Sequence, residues 1–155
     1  MYSAYLKFEG TGKAEIEQFR KKHDSLSDKI EAHITVVFPN NKFTEAEIIN
    51  SIQRLGNLSR SRFELSSTIT YVEPVGYLKL TSGKEYAENI YNKLSEILEI
   101  SSKYAYEPHV TVVRDSVERP LNVDVHQNYY TITGILVEAI LGNGVSQVIY
   151  HQDID

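Results

Sequence analysis

The clearest pattern in the chain is an alternation of apolar and polar positions that occurs twice. Ala4-Tyr5-Leu6-Lys7-Phe8 is echoed by Gly76-Tyr77-Leu78-Lys79-Leu80, and a two-residue period puts the apolar side chains on one strand face with Tyr and Lys on the other. Each predicted strand leads into a predicted helix. The first spans Lys13 to His23, with Ile16 and Phe19 on one side; the second carries Tyr86, Ile90, Leu94 and Ile97 at helical spacing, behind an expected Ser82-Glu85 capping box. About ten residues after each helix comes a β-branched run, His33-Ile34-Thr35-Val36-Val37 and then His109-Val110-Thr111-Val112-Val113. The halves therefore share strand, helix and strand.

Between them, Thr44 and Glu47 form a further capping box ahead of Ile48, Ile49, Ile52 and Leu55, with Gly56 as the stop. Later strands are expected over Phe63 to Val72, Tyr129 to Leu141 and Val145 to Tyr150, with Asn143-Gly144 as a hairpin turn. Antiparallel strands mixed with about three helices predict an α+β domain. The duplication predicts two lobes, roughly 1–73 and 74–155, related by an approximate two-fold axis around a central cleft, with the helices outside.

With 155 residues, 41% of them hydrophobic, the chain is expected to fold as one unit. No apolar run is long enough for a membrane span and no leader pattern opens the sequence, so a cytosolic monomer is expected. The absence of cysteine removes thiolate nucleophiles and the commonest structural zinc sites. A net charge of −5 argues against coating long nucleic acid, so any polyanion handled should be small or locally gripped.

Alternation puts His33 and Thr35 on one strand face, and His109 and Thr111 likewise, while Ile34, Val36, Val110 and Val112 face the helices. A two-fold axis would bring these four polar groups to a single groove. Cleaving a phosphodiester requires a proton taken from the entering oxygen and one given to the leaving oxygen, on opposite sides of phosphorus. Two imidazoles suit this, one neutral and one protonated, while threonine hydroxyls donate to the non-bridging oxygens. Neither a metal nor any other cofactor is required. Either histidine can take either role, depending on the direction of the substrate.

Paired His-x-Thr strands half a chain apart resemble the 2H phosphoesterase superfamily, including bacterial enzymes named for 2′,5′ RNA ligase activity and the RNA cyclic phosphodiesterases. Ala32-His33-Ile34-Thr35-Val36-Val37-Phe38-Pro39 is similar to that family's first motif and Glu107-Pro108-His109-Val110-Thr111-Val112 to its second. The resemblance implies a bilobal fold with both strands lining a cleft. It also implies activity on 2′,3′-cyclic phosphates, 2′,5′-linked oligonucleotides or related cyclic nucleotides, with His33, Thr35, His109 and Thr111 as the catalytic set.

Further candidates surround these four. Strand parity turns Tyr5, Lys7, Tyr77 and Lys79 either toward the cleft, to stack on a base or hold phosphate, or onto a solvated face. Arg114 is a candidate phosphate ligand because guanidinium offers paired donors, although its parity is opposite to that of His109 and favours the surface. The Arg20-Lys21-Lys22 run is a candidate for attracting substrate, but a charge run at a helix end more often meets water and favours the helix dipole, and it is read that way; His23, His126 and His151 are read as surface histidines. Two alternatives stay open, a phosphodiesterase that degrades a cyclic oligonucleotide signal and a module that binds nucleotides without turning them over.

Overall fold

The computed structural model describes residues 1–155. Eleven elements follow in the order β1 (Tyr2–Glu9), α1 (Lys13–His23), β2 (Ile34–Asn40), α2 (Glu45–Gln53), β3 (Ser61–Leu65), β4 (Thr70–Val72), β5 (Val75–Ser82), α3 (Lys84–Ile97), β6 (His109–Val113), β7 (Tyr129–Ile140) and β8 (Ser146–Asp153). This is an α+β fold whose named strands pair antiparallel throughout.

The duplication governs the topology. β1 lies between β2 and β7, and β5 lies between β6 on one edge and β3 and β4 on the other. Tyr5 stands opposite Thr35 in the first lobe and Tyr77 opposite Thr111 in the second. The lobes interlock, since α1 packs against β6 and α3 against β2. Ala4, Leu6 and Phe8 of β1, Ile34 and Val36 of β2 and Val110 and Val112 of β6 are all fully buried, within one cluster of 28 residues. The apolar parity of the repeated strands thus builds a core shared by both lobes, leaving their polar faces for the cleft.

Local chemistry explains most element ends. Thr44 caps α2 by accepting from the Glu47 N–H while the Glu47 carboxylate accepts from the Thr44 N–H, an arrangement worth about 1 kcal/mol. Gly56 takes a positive φ of 73° just past this helix, as a stop requires. No helix is long and apolar enough to cross a membrane.

Four expectations are corrected. The start of α3 is capped by Gly83 rather than by a Ser82-Glu85 box: Gly83 has φ 74° and no side chain caps the helix. A Cβ at Gly83 would collide with the Arg62 carbonyl oxygen and the Phe63 backbone, so close packing against β3 decides this terminus. The single strand expected over Phe63 to Val72 is broken into β3 and β4, because Ser66 Oγ accepts from the Thr68 N–H at 3.1 Å and Ile69 N–H turns to Leu121 O. Short hydroxyl side chains here offer the backbone a local alternative to the ladder. Arg20 does not meet water; it is 0% exposed between Glu17 and Asp24. His23 is not a surface histidine either, since its ring packs 4.5 Å from that of Phe19 and its Nδ1 is buried without a hydrogen bond, 3.7 Å from Glu118 Oε2.

Candidate functional site

His33 immediately precedes β2 and His109 opens β6, so each is held at the mouth of a strand whose next residue is anchored in the core. The two environments repeat one another. His33 Nδ1 lies 2.7 Å from the Glu31 carbonyl oxygen and His109 Nδ1 lies 2.7 Å from that of Glu107. A carbonyl only accepts, so Nδ1 carries the hydrogen in both rings and each Nε2 is left with a lone pair when the ring is neutral. The Tyr5 ring packs 4.6 Å from His33 at a 48° tilt, and Tyr77 packs 4.5 Å from His109 at 41°. Each imidazole is therefore oriented by a carbonyl two residues earlier and by an aromatic neighbour on the adjacent strand.

Both histidines and both threonines line one pocket of about 260 Å³. Tyr5, Lys29, Arg114 and Glu138 also border it. Burial pushes His33 down from 6.5 to about 4; the Glu31 carbonyl bond and the Asp24 carboxylate oppose that shift, and the Arg114 and Arg20 guanidiniums add to it. His109 is lowered for the same first reason, with its Glu107 carbonyl bond resisting and Arg114 assisting. The Tyr5 hydroxyl is held well above its ordinary value, first by burial and then by the Glu138 and Glu31 carboxylates, so it remains a protonated phenol.

Arg114 enters the pocket against the simple parity expectation. The β6 ladder ends at Val113, and Arg114 instead makes an isolated parallel bridge to Asp24, with its N–H donating to His23 O and its carbonyl accepting from Ser25 N–H. Alternation stops where the ladder stops. The Arg114 Nη1 donates to both Asp24 oxygens, at 3.0 and 2.9 Å, while Arg20 Nε donates to Oδ2 at 2.8 Å from the other side. Arg20 also donates to Glu17 Oε1, which accepts from the Ala32 N–H as well and so ties α1 to the residue before His33. This buried network fixes Arg114 from behind.

The remaining candidates divide. Tyr77 borders an adjoining cavity rather than the histidine pocket. Lys79 stands opposite His109 in the ladder, yet its Nζ points to Glu107 at 3.9 Å; Lys7 Nζ similarly lies 3.9 Å from Glu9, and neither lysine lines the pocket. His126 and His151 lie at the surface, beside Glu15 and Asp153. No three His, Asp or Glu side chains are grouped to hold a metal ion.

Lys29, Glu138 and Asp24 are absent from the candidates read in the sequence, and Arg20 figures there only within a charge run read as a solvated helix end. Glu138 had a readable signal, a carboxylate within the apolar strand Ile135 to Ile140. Lys29 lies in the irregular stretch between α1 and β2, where no periodicity announces which way it points.

Two interlocked lobes that bring paired His-x-Thr strands to one pocket are the architecture of a 2H phosphoesterase. The chain belongs to the 2′-5′ RNA ligase superfamily, whose family model matches residues 8–132. Among solved structures it is similar to Escherichia coli LigT complexed with 3′-AMP, at 16% identity and a TM-score of 0.71 over 99% of this chain and 97% of that one. A protein described as a phosphoesterase matches at 14% identity and a TM-score of 0.71, over 99% and 97% of the two chains. TT0787 of Thermus thermophilus matches at 16% and 0.65, over 99% and 98%. These likenesses establish the shared fold. A search of curated protein sequences finds no match.

Proposed function

We propose that this protein is a metal-independent phosphodiesterase that opens 2′,3′-cyclic phosphates or cleaves 2′,5′-linked, RNA-like phosphodiesters. The observation that carries the reading is the matched pair of imidazoles, each with Nδ1 bonded to a carbonyl two residues earlier, bordering one pocket with two threonine hydroxyls and a guanidinium.

In this reading one neutral Nε2 takes a proton from water or from a neighbouring ribose hydroxyl as that oxygen bonds to phosphorus. The opposite P–O bond breaks, and its oxygen takes the Nε2 proton of the other, protonated imidazole. Thr35, Thr111 and Arg114 donate to the non-bridging oxygens, where negative charge grows. Burial keeps both rings neutral before substrate arrives, and an entering phosphate anion raises their proton affinity, supplying the protonated partner. The nucleotides recorded with LigT, 3′-AMP, NADP+ and ATP, support a nucleotide-sized substrate.

The test is incubation with a panel of 2′,3′-cyclic, 2′,5′-linked and 3′,5′-cyclic nucleotides in excess chelator, with products resolved by mass. Turnover of a 2′,3′-cyclic or 2′,5′-linked member, lost by about 10²–10⁴-fold in His33→Ala and His109→Ala, is the expected result. Wild-type protein that binds these nucleotides and turns over none would overturn the enzyme reading.

A further inference from the structure

One charged group in the histidine pocket takes no part in the proton transfers. Glu138 is only 7% exposed, yet it borders the pocket. Strand parity aims it there: Ile135 and Val137 of β7 are buried in the core, so Glu138 and Ile140 turn to the opposite face, and both line the pocket. Ser3, which stands opposite Glu138 across the β1–β7 ladder, lies on the same wall.

The other carboxylates near the site are engaged. Asp24 accepts from Arg20 and Arg114, Glu31 accepts from Lys13 at 2.7 Å, and Glu107 lies 3.9 Å from Lys79 Nζ. Glu138 has no such partner. Burying a charge without one is costly, and a group left so in a pocket wall calls for a functional account. Its effect on the pocket is to cancel charge. Arg114 and Arg20 are matched by Asp24 and Glu17, which leaves Lys29 as the one unpaired cation in the wall and Glu138 as the one unpaired anion. With both imidazoles neutral, the wall carries no net charge.

We propose that Glu138 sets the charge the pocket tolerates, admitting the single negative charge of a phosphodiester and expelling the double charge of a phosphomonoester. The inference rests on the reading of the histidine pocket as a phosphodiesterase site, and it bears on the hydrolytic opening of a cyclic phosphate. That step adds water across one P–O bond. The hydroxyl joins phosphorus, the hydrogen goes to the released ribose oxygen, and the product is a monoester with a second acidic proton. This proton leaves with a pKa of about 6, so near neutral pH the product carries about twice the negative charge of the substrate. Repulsion scales with ligand charge, so an unpaired carboxylate weakens the hold on product more than the hold on substrate. Glu138 thereby favours release after each turnover.

Glu138→Gln keeps the size of the side chain and removes its charge. Calorimetric titration at pH 7.5 compares two ligands that lack an internal nucleophile. One is 2′-deoxyadenosine 3′-phosphate, doubly charged; the other is 2′-deoxyadenosine 3′-methylphosphonate, in which a methyl replaces one oxygen and a single charge remains. The variant should bind the phosphate about tenfold more tightly than wild type does, and the methylphosphonate only about threefold, because half the charge feels half the repulsion. In progress curves with a 2′,3′-cyclic nucleotide it should stall at a correspondingly lower product concentration. Lys29 is exposed in the segment between α1 and β2, so Lys29→Gln leaves the core untouched; it should weaken the phosphate more than the methylphosphonate. An unchanged ratio of the two affinities in either variant, or weaker binding of both ligands by Glu138→Gln, overturns the inference alone. If wild-type protein binds neither ligand but opens the cyclic nucleotide, equal product inhibition in wild type and Glu138→Gln overturns it. Wild-type protein that neither binds nor turns over any of these compounds overturns the phosphodiesterase reading and the inference with it.

Discussion

Replacing Asp24 by Asn should unfold this protein at markedly lower denaturant while also impairing its chemistry. The Asp24 side chain is 0% exposed and accepts from Arg20 Nε, from Arg114 Nη1 on both oxygens, and from the Leu26 N–H. Arg20 is equally buried, so its charge is compensated only by Asp24 and Glu17. Asparagine keeps the shape but turns one acceptor oxygen into a donor facing guanidinium N–H groups, leaving one buried positive charge in excess. Removing one partner of a buried pair costs about 3–5 kcal/mol; because asparagine retains one accepting oxygen, about 3 kcal/mol is expected, or a fall in Tm of about 6–12 °C.

Urea unfolding should show a lower midpoint with an unchanged slope, which separates lost stability from a changed denatured state. The companion variant Arg114→Ala removes two hydrogen bonds but leaves Arg20 and Asp24 paired, so it should cost only about 1–2 kcal/mol. Its kcat/KM should nevertheless fall about 10²-fold as a donor to the developing charge is lost. A loss of less than about 1 kcal/mol in Asp24→Asn, or a larger loss in Arg114→Ala than in Asp24→Asn, would refute the network.

Other consequences are open to direct measurement. The pH profile of kcat/KM should be a bell displaced to acid, with one limb near pH 4 from His33 and the other below 6.5 from His109; an optimum above pH 7.5 would contradict it. Because the folded pKa of His33 is depressed, its contribution to stability is complete above pH 6.5 and is lost as pH falls toward 4, which urea midpoints across that range should reveal. Thr35→Val and Thr111→Val should each lower kcat by about 10–10³-fold with little change in Tm, and equal rates would remove the hydroxyls from the charge-stabilising role. Gly83→Ala should destabilise by more than the ~1 kcal/mol of an ordinary positive-φ glycine replacement, because the added methyl meets the Arg62 carbonyl and Phe63; a change of under about 0.5 kcal/mol, read from urea midpoints, would show that β3 yields at no cost.

The repeated strands, the three helices and the side chains that share the His-x-Thr faces were legible from the sequence, because strand parity and helical spacing are local and are enforced by a common core. The two-residue period that buries Ile34, Val36, Val110 and Val112 also turns His33, Thr35, His109 and Thr111 away from that core. Tertiary structure decided what happens where regular structure ends. Arg114 reaches the pocket because its backbone leaves β6 to pair with Asp24, Arg20 is buried because a carboxylate four residues after it and another three residues before it enclose its charge, and Gly83 caps α3 because β3 runs too close for a side chain. Lys7 and Lys79 illustrate the converse: parity gives the face, but a long flexible side chain is directed by whichever carboxylate lies within reach, here Glu9 and Glu107. Alternation is a property of neighbours along the chain, whereas charge pairing and steric approach depend on residues that only folding brings together.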